Sequence, residues 1–307
     1  MPAPTLIEAH VAVTQAGQDE FVNTNPPWTP PPGTRAIFGG FLLGQSVSAA
    51  NHTVDASFSV YSLQSFFLRS GSHKEKIVYQ VDRLTDGRNF ATRQVRASQG
   101  GKCIYMAVVG YQKADEVLQG KSLSYGLPMP DMGLVSPADA ALLRENHPKM
   151  IRYLAGNQEL AESLDPDPFE WLIVQWEGEK ERKPIDFRFR GFVRAPALSR
   201  DDKFTHSAAL AFLTDEWFLL VPQLATPGFV DVQKGTFPFN VTMNHSVHFH
   251  NSAHKISDWM VCERTTSWAD KGRVVVENRF WDAETGRLVV SCSQEGVVLS
   301  ITMGSKL

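Results

Sequence analysis

Four histidines, His245, His248, His250 and His254, fall within ten residues of one another. Histidines at this density could ligate a metal or move protons. On an extended strand, side chains alternate between faces, so His248 and His250 share one face and His245 takes the other. No acidic ligand cluster neighbours them. The stretch is therefore read as packing and hydrogen-bonding histidines, and no metal site is expected. Other chemistry-bearing patterns are missing. There is no G-x-S-x-G nucleophile elbow and no G-x-G-x-x-G dinucleotide fingerprint, so no cofactor is expected. Gly120-Lys121-Ser122 looks like the end of a phosphate-binding loop, but Asp115 stands where the earlier glycine belongs, and it reads as a turn. Cys103, Cys262 and Cys292 are widely spaced and odd in number, which suggests reduced thiols in strands.

The element that carries the histidines is residues 239–250, FNVTMNHSVHFH, a strand by its alternation and lack of proline and glycine. Residues 58–69, FSVYSLQSFFLR, form a faint twin. Aligning Ser65 with Ser246 sets Gln64 opposite His245, Tyr61 opposite Thr242, Gln45 opposite Asp215 and Val109 opposite Gln294. The surroundings repeat as well. Residues 11–21 read as a weak edge strand, and the proline-rich run at 26–33 as an extended crossing loop. Residues 38–50, with small residues and apolar ones at helical spacing, read as a buried helix. Strands follow at 56–69, 76–84, 89–99 and 102–112, separated by glycine turns. After an extended 127–130 and a helix at 137–146, strands are expected at 169–177 and 186–193. A helix at 202–214, with Ser199 as its cap, precedes the histidine strand. Strands at 259–267, 272–281 and 287–298 complete the chain. Helix plus antiparallel meander, twice in tandem, predicts an α+β double hotdog, each helix wrapped by a curled sheet and the two sheets paired edge to edge. The halves are placed at 1–115 and 169–302, with a linker at 116–168 and a tail at 303–307.

Composition limits the partners. The 307 residues are 43% hydrophobic and 21% charged, which is globular rather than disordered. A formal charge of −3 and no basic domain argue against nucleic acid as the main partner. No apolar run approaches the roughly 20 residues of a membrane span, and the first residues lack the pattern of a secretory signal. Ser305-Lys306-Leu307 is an SKL tripeptide, the address read by the peroxisomal import receptor, so the peroxisomal matrix is the expected location. Sheet edges and faces of this architecture call for covering, so a homo-oligomer is expected.

Five runs carry a family resemblance: Phe38-Gly39-Gly40-x-x-x-Gly44-Gln45, Ser65-Phe66-Phe67-Leu68-Arg69, Asp86-Gly87-Arg88-x-Phe90, Asn244-His245-Ser246-x-x-Phe249-His250 and Ser293-Gln294-Glu295-Gly296. Together they resemble the acyl-CoA thioesterase II family, over nearly the whole chain and in family order. The resemblance implies hydrolysis of acyl-CoA to free acid and CoA. It also implies a catalytic trio: an aspartate ending the second helix, a Thr or Ser on the next strand, and the glutamine of the last QEG. These fall on Asp215, Thr242 and Gln294. Gly39, Gly40, Gln45, Arg69, Arg88 and His245 are the expected substrate-binding positions, with the Gly39-Gly40 amides as candidate oxyanion donors. Departures are Asn244, where the family has aspartate, Gln64, where histidine is common, and Thr265-Thr266-Ser267-Trp268, where a glutamate-serine pattern is usual. The first half, lacking the trio, is expected to supply scaffold and substrate surface, and its basic residues Arg69, Lys74, Lys76, Arg88, Arg93 and Arg96 are candidates for CoA phosphates.

Overall fold

The structure is a computed structural model that describes residues 3–27, 37–113, 123–133, 136–140, 167–175, 182–230 and 235–302. Most of the proline-rich loop, the Gly120–Ser122 turn, the helix at 137–146 beyond residue 140, most of the linker and the SKL tail lie outside the described residues.

In the first half, α1 (Leu6–Val11), β1 (Val13–Gly17) and β2 (Glu20–Asn23) precede the buried helix α2 (Gly39–Asn51). β3 (Phe58–Phe67), β4 (Val78–Asp86), β5 (Phe90–Gln99) and β6 (Lys102–Lys113) follow. After the short α3 (Pro137–Ala140), the second half contains β7 (Glu170–Gln175), β8 (Phe189–Arg194) and the helix α4 (Lys203–Asp215). The short α5 (Val221–Leu224), then β9 (Thr236–Phe249), β10 (Met260–Asp270), β11 (Arg273–Asp282) and β12 (Leu288–Thr302) complete it. All twelve strands form one antiparallel sheet in the order β1-β2-β4-β5-β6-β3-β9-β12-β11-β10-β8-β7. The twin strands β3 and β9 are its seam, so the double hotdog is present with its halves joined edge to edge.

Within residues 11–21, expected as an edge strand, β1 does form the edge of the sheet, while Val11 ends α1 and Glu20 and Phe21 already belong to β2. Thr5 and Glu8 close a capping box that nucleates α1. The cap of α4 is Asp202, whose Oδ1 accepts from the Phe204 and Thr205 amides at 3.1 and 2.9 Å. Ser199 is too far upstream for that role. Its hydroxyl donates to Glu8 Oε1 at 2.7 Å, tying α1 to the second half.

The seam corrects the repeat alignment by one residue. Each copy carries a bulge, at Tyr61 in β3 and at Met243 in β9. Matching the bulges equates Leu63 with His245, both buried, and Val60 with Thr242. Equating Ser65 with Ser246 would set inward residues against outward ones, since a one-residue slip exchanges the faces of a strand. The two 13-residue helices run antiparallel, and matching their ends sets Asn51, not Gln45, opposite Asp215. Val109 stays opposite Gln294, because Val109 pairs with Leu63 as Gln294 pairs with His245. The first half therefore has Asn51, Val60 and Val109 where the second has Asp215, Thr242 and Gln294.

Candidate active site

Where α2 begins, α4 ends. A run of small residues permits the approach: a Cβ on Gly40 would lie 2.6 Å from the Phe212 carbonyl oxygen, and one on Gly44 would lie 3.0 Å from that of Ala208. At the head of α2, a Cβ on Gly39 would strike Asp215 Oδ2 at 2.5 Å. Phe38, the residue before α2, has no side chain to cap it. The Asp215 carboxylate, arriving from the other helix, takes a hydrogen bond from the Gly40 amide and fills that place. That amide, expected among the oxyanion donors, is thus engaged with Asp215. Beyond Asp215 the chain turns sharply through Trp217, which holds φ 59° and ψ 13°, a conformation that bulky side chains seldom adopt.

The sheet supplies the other two members of the trio. Gln294 on β12 pairs with His245 on β9, and its side chain has no exposed surface. Its Nε2 donates to Asp215 Oδ1 at 2.7 Å and to Thr242 Oγ1 at 2.6 Å. Thr242 reaches it because of the bulge. Along a regular strand, Thr242 would share the outward face of Asn244 and Ser246. The extra residue Met243 turns it inward, beside His245. Gly296, two residues past Gln294, faces Thr242 across the ladder, and a Cβ there would meet Leu219 and the Val241 carbonyl at 2.8 Å.

The electrostatics suit a proton acceptor. Burial pushes the Asp215 carboxyl up to about 7, against the opposing pull of hydrogen bonds from Gln294 and Gly40 and of the Arg264 charge. His245 is fully buried with Nδ1 3.8 Å from Asp215 Oδ1, and burial pushes its imidazole down to about 3. It stands in the site as a neutral ring.

The remaining expected positions divide. Gly39, Gly40 and His245 join the trio. Arg69 lies at the same end of β3, where its Nη1 donates to the Cys103 carbonyl at 2.7 Å. Gln45 is buried in mid-helix, and its Nε2 holds the carbonyls of His10 and Ala12 at 2.9 and 3.1 Å, anchoring the N-terminal segment. Arg88 sits in the β4–β5 turn, beside the start of β3, at the opposite end from Thr242. Arg93 is a buried structural residue bound to Thr53 and Asp86. Two of the other histidines have local partners: His250 with Ser291 Oγ at 2.8 Å and His254 with Asp282 Oδ2 at 3.1 Å. Asn244 donates to Glu295 Oε2 at 3.1 Å, and Gln64, outward on the seam, accepts from the Ser246 hydroxyl.

With this geometry in hand, the relatives can be placed. Residues 25–112 match the family model of the acyl-CoA thioesterase N-terminal domain, and residues 140–298 match that of the C-terminal domain. The chain belongs to the acyl-CoA thioesterase family, whose members are thioester hydrolases built as double hotdogs. It is 28% identical over 287 residues to human acyl-coenzyme A thioesterase 8, covering 88% of this chain and 82% of that protein. It is 26% identical over 310 residues to the peroxisomal acyl-coenzyme A thioester hydrolase 1 of Saccharomyces cerevisiae, covering 88% and 87%. An acyl-CoA thioesterase II from Mycobacterium marinum shares the fold, with a TM-score of 0.72 at 22% identity over 98% of this chain and 99% of that one.

Proposed function

We propose that this protein hydrolyses acyl-CoA thioesters with a water molecule activated by Asp215, Thr242 and Gln294. The observation that carries this is the convergence of the three side chains, from a helix end and two strands, through one buried amide. Gln294 Nε2 uses both of its hydrogens, one on Asp215 and one on Thr242. The Thr242 hydroxyl, accepting from Gln294, keeps its own hydrogen to donate. A water between the two then gives a hydrogen bond to the Asp215 carboxylate and receives one from Thr242. As that water attacks the thioester carbonyl carbon, Asp215 takes its proton. The tetrahedral intermediate collapses with cleavage of the C–S bond, releasing CoA as thiolate and the acid. A thioester is activated enough for this without metal or covalent nucleophile, provided water and carbonyl are held in line.

The peroxisome is the compartment we infer, from the Ser305-Lys306-Leu307 address and from the name of the yeast relative. The import receptor would then be a partner. Self-association completes the reading: Phe66, Leu84 and Phe90 are exposed apolar side chains on strands of the first half, a feature that a second copy would cover.

The test is CoA release, read with a thiol reagent, across acetyl- to long-chain acyl-CoA, for wild type, Asp215→Asn and Gln294→Ala. Turnover that collapses in both variants supports the trio. Acyl-CoA bound without any release rejects the hydrolase and leaves a binding protein.

A further inference from the structure

Gly296 leaves a notch on the inner face of the sheet. It pairs with Thr242 across the ladder and shares a face with Gln294 on its own strand, so the notch adjoins both. A Cβ there would lie 2.8 Å from the Val241 carbonyl oxygen and 2.8 Å from each Cδ of Leu219. The two methyls of Leu219 therefore fill the space that a side chain at 296 would take. Leu219 is only 8% exposed and belongs to the 3-10 turn Phe218–Leu220, which follows Asp215 and Glu216 past the left-handed Trp217. Gln223 ties this turn to the strand of Thr242. Its Nε2 donates to the Leu219 carbonyl at 3.2 Å and to Asn240 Oδ1 at 3.0 Å.

The trio has other walls, and they are stiffer. At the head of α2, the Gly39 backbone and the Phe67 ring leave no room for one methyl group, and Phe67 packs edge-on against Tyr105 with centroids 5.0 Å apart. On the His245 side, the buried imidazole meets the Phe218 ring at 5.3 Å between centroids. An aromatic ring moves only as a rigid plate, and a helix backbone moves only with its helix. A leucine side chain turns about two single bonds between staggered wells. The acyl carbons next to a thioester carbonyl stay within a few bonds of the atom that water attacks, so they need room beside Thr242. Of these walls, Leu219 is the one whose shape can set that room.

We propose that Leu219 is a specificity-determining residue, whose methyls form the wall met by the carbons adjoining the thioester. It sets how well an acyl-CoA branched at the α-carbon is taken relative to a straight one. This rests on the reading of Asp215, Thr242 and Gln294 as the hydrolytic site.

The test is the ratio of kcat/KM for an α-methyl acyl-CoA to that for the straight acyl-CoA of equal chain length. It is measured in wild type, Leu219→Ala, Leu219→Phe and Leu224→Ala. One methylene in an apolar pocket is worth about tenfold or more in discrimination, so Leu219→Ala should raise the ratio by about tenfold and Leu219→Phe should lower it by about as much. Leu224→Ala empties a similar volume from α5, which packs on β10 and β11. It should lose stability and keep the ratio within about twofold. A ratio unmoved in both Leu219 variants, or moved as far by Leu224→Ala, overturns the proposal. Leu219→Val, one methylene shorter, takes the place of the alanine variant if that chain does not fold, and should shift the ratio in the same direction. A second measurement needs no turnover: calorimetric binding of straight and α-methyl thioether analogues of acyl-CoA. An affinity ratio that is the same in all variants sinks the role of Leu219. A ratio that shifts as expected, in a protein that releases no CoA, fails only the hydrolase reading.

Discussion

The backbone of Gly39 closes on the Asp215 carboxylate so tightly that a single methyl group would lie 2.5 Å from Oδ2 and 2.9 Å from the Phe67 ring. One contact thus fixes both the start of α2 and the orientation of the proposed base. Gly39→Ala should cost about 1–3 kcal/mol through overpacking, and displacement of the carboxylate should lower kcat about tenfold or more. Gly44→Ala is the control. Its methyl would press on Val11 and the Ala208 carbonyl, away from the carboxylate. Thermal unfolding with CoA release separates the two: both variants lose stability, and only Gly39→Ala loses turnover out of proportion.

Asp215 links activity to pH. Its folded value of about 7 lies above the ordinary 3.8. A carboxyl raised on folding binds its proton more tightly in the folded chain. It therefore favours the fold most at low pH, and that contribution is lost as pH climbs from about 4 to about 7. Turnover should run the other way, rising through about pH 7 as the base ionises. Asp215→Asn should abolish most activity, by about 10²–10⁴-fold. It should also be more stable than wild type at pH 8, on the order of 2–4 kcal/mol, with a much smaller difference at pH 5. Urea unfolding at the two pH values decides it: an equal difference at both would mean that Asp215 titrates as an ordinary carboxyl.

Thr242 should tolerate some replacements better than others. Its hydroxyl accepts from Gln294 and keeps a hydrogen for water. Thr242→Ser preserves both bonds and should retain activity within about threefold, whereas Thr242→Val preserves shape and loses both. Loss of one positioned hydrogen-bonding group in a buried site is worth about 10²-fold in kcat. Steady-state kinetics on the best acyl-CoA would show kcat falling with little change in KM. Equal activity in Thr242→Val and wild type would remove Thr242 from the trio.

These residues also show where reading from sequence ends. Alternation located β9, and the family pattern picked out Asp215, Thr242 and Gln294, yet period two alone sends Thr242 to the outer face. A bulge is one extra residue, and nothing in VTMNHS announces it. Matching Ser65 to Ser246 by residue type slips the alignment of the halves by one, and only the bulges at Tyr61 and Met243 fix it. The short α1 is hard to read from sequence although Thr5-x-x-Glu8 is a capping box, because six residues give too little periodicity to register. The burial of Arg264 is illegible for a different reason. Cys262, Arg264 and Thr266 alternate inward on their strand, but arginine in a strand is ordinarily read as solvated, so its burial is a tertiary fact. Gln45 was misplaced because a buried glutamine in a helix reveals no partner until the N-terminal segment folds over it.

Asn244 stands where the family has aspartate, and restoring that residue should harm this chain. Asn244 Nδ2 donates to Glu295 Oε2 at 3.1 Å, while Arg273 Nε lies 3.4 Å from the other oxygen of Glu295. An aspartate would turn the first contact into two facing carboxylates one residue away from Gln294. Because the pair is only partly buried, solvent screens much of the repulsion, and Asn244→Asp should cost about 1 kcal/mol. Adding Glu295→Gln gives the new carboxylate a donor and should recover most of that loss, so the pair is read as a double-mutant cycle in chemical denaturation. Asn244 and Glu295 meet on the outer face of the sheet, whereas Gln294 and Asp215 are buried on the inner one, so kcat in Asn244→Asp should stay within about threefold of wild type. A large rise in turnover would show instead that the family aspartate acts on the substrate, and that this chain has traded activity for the amide contact.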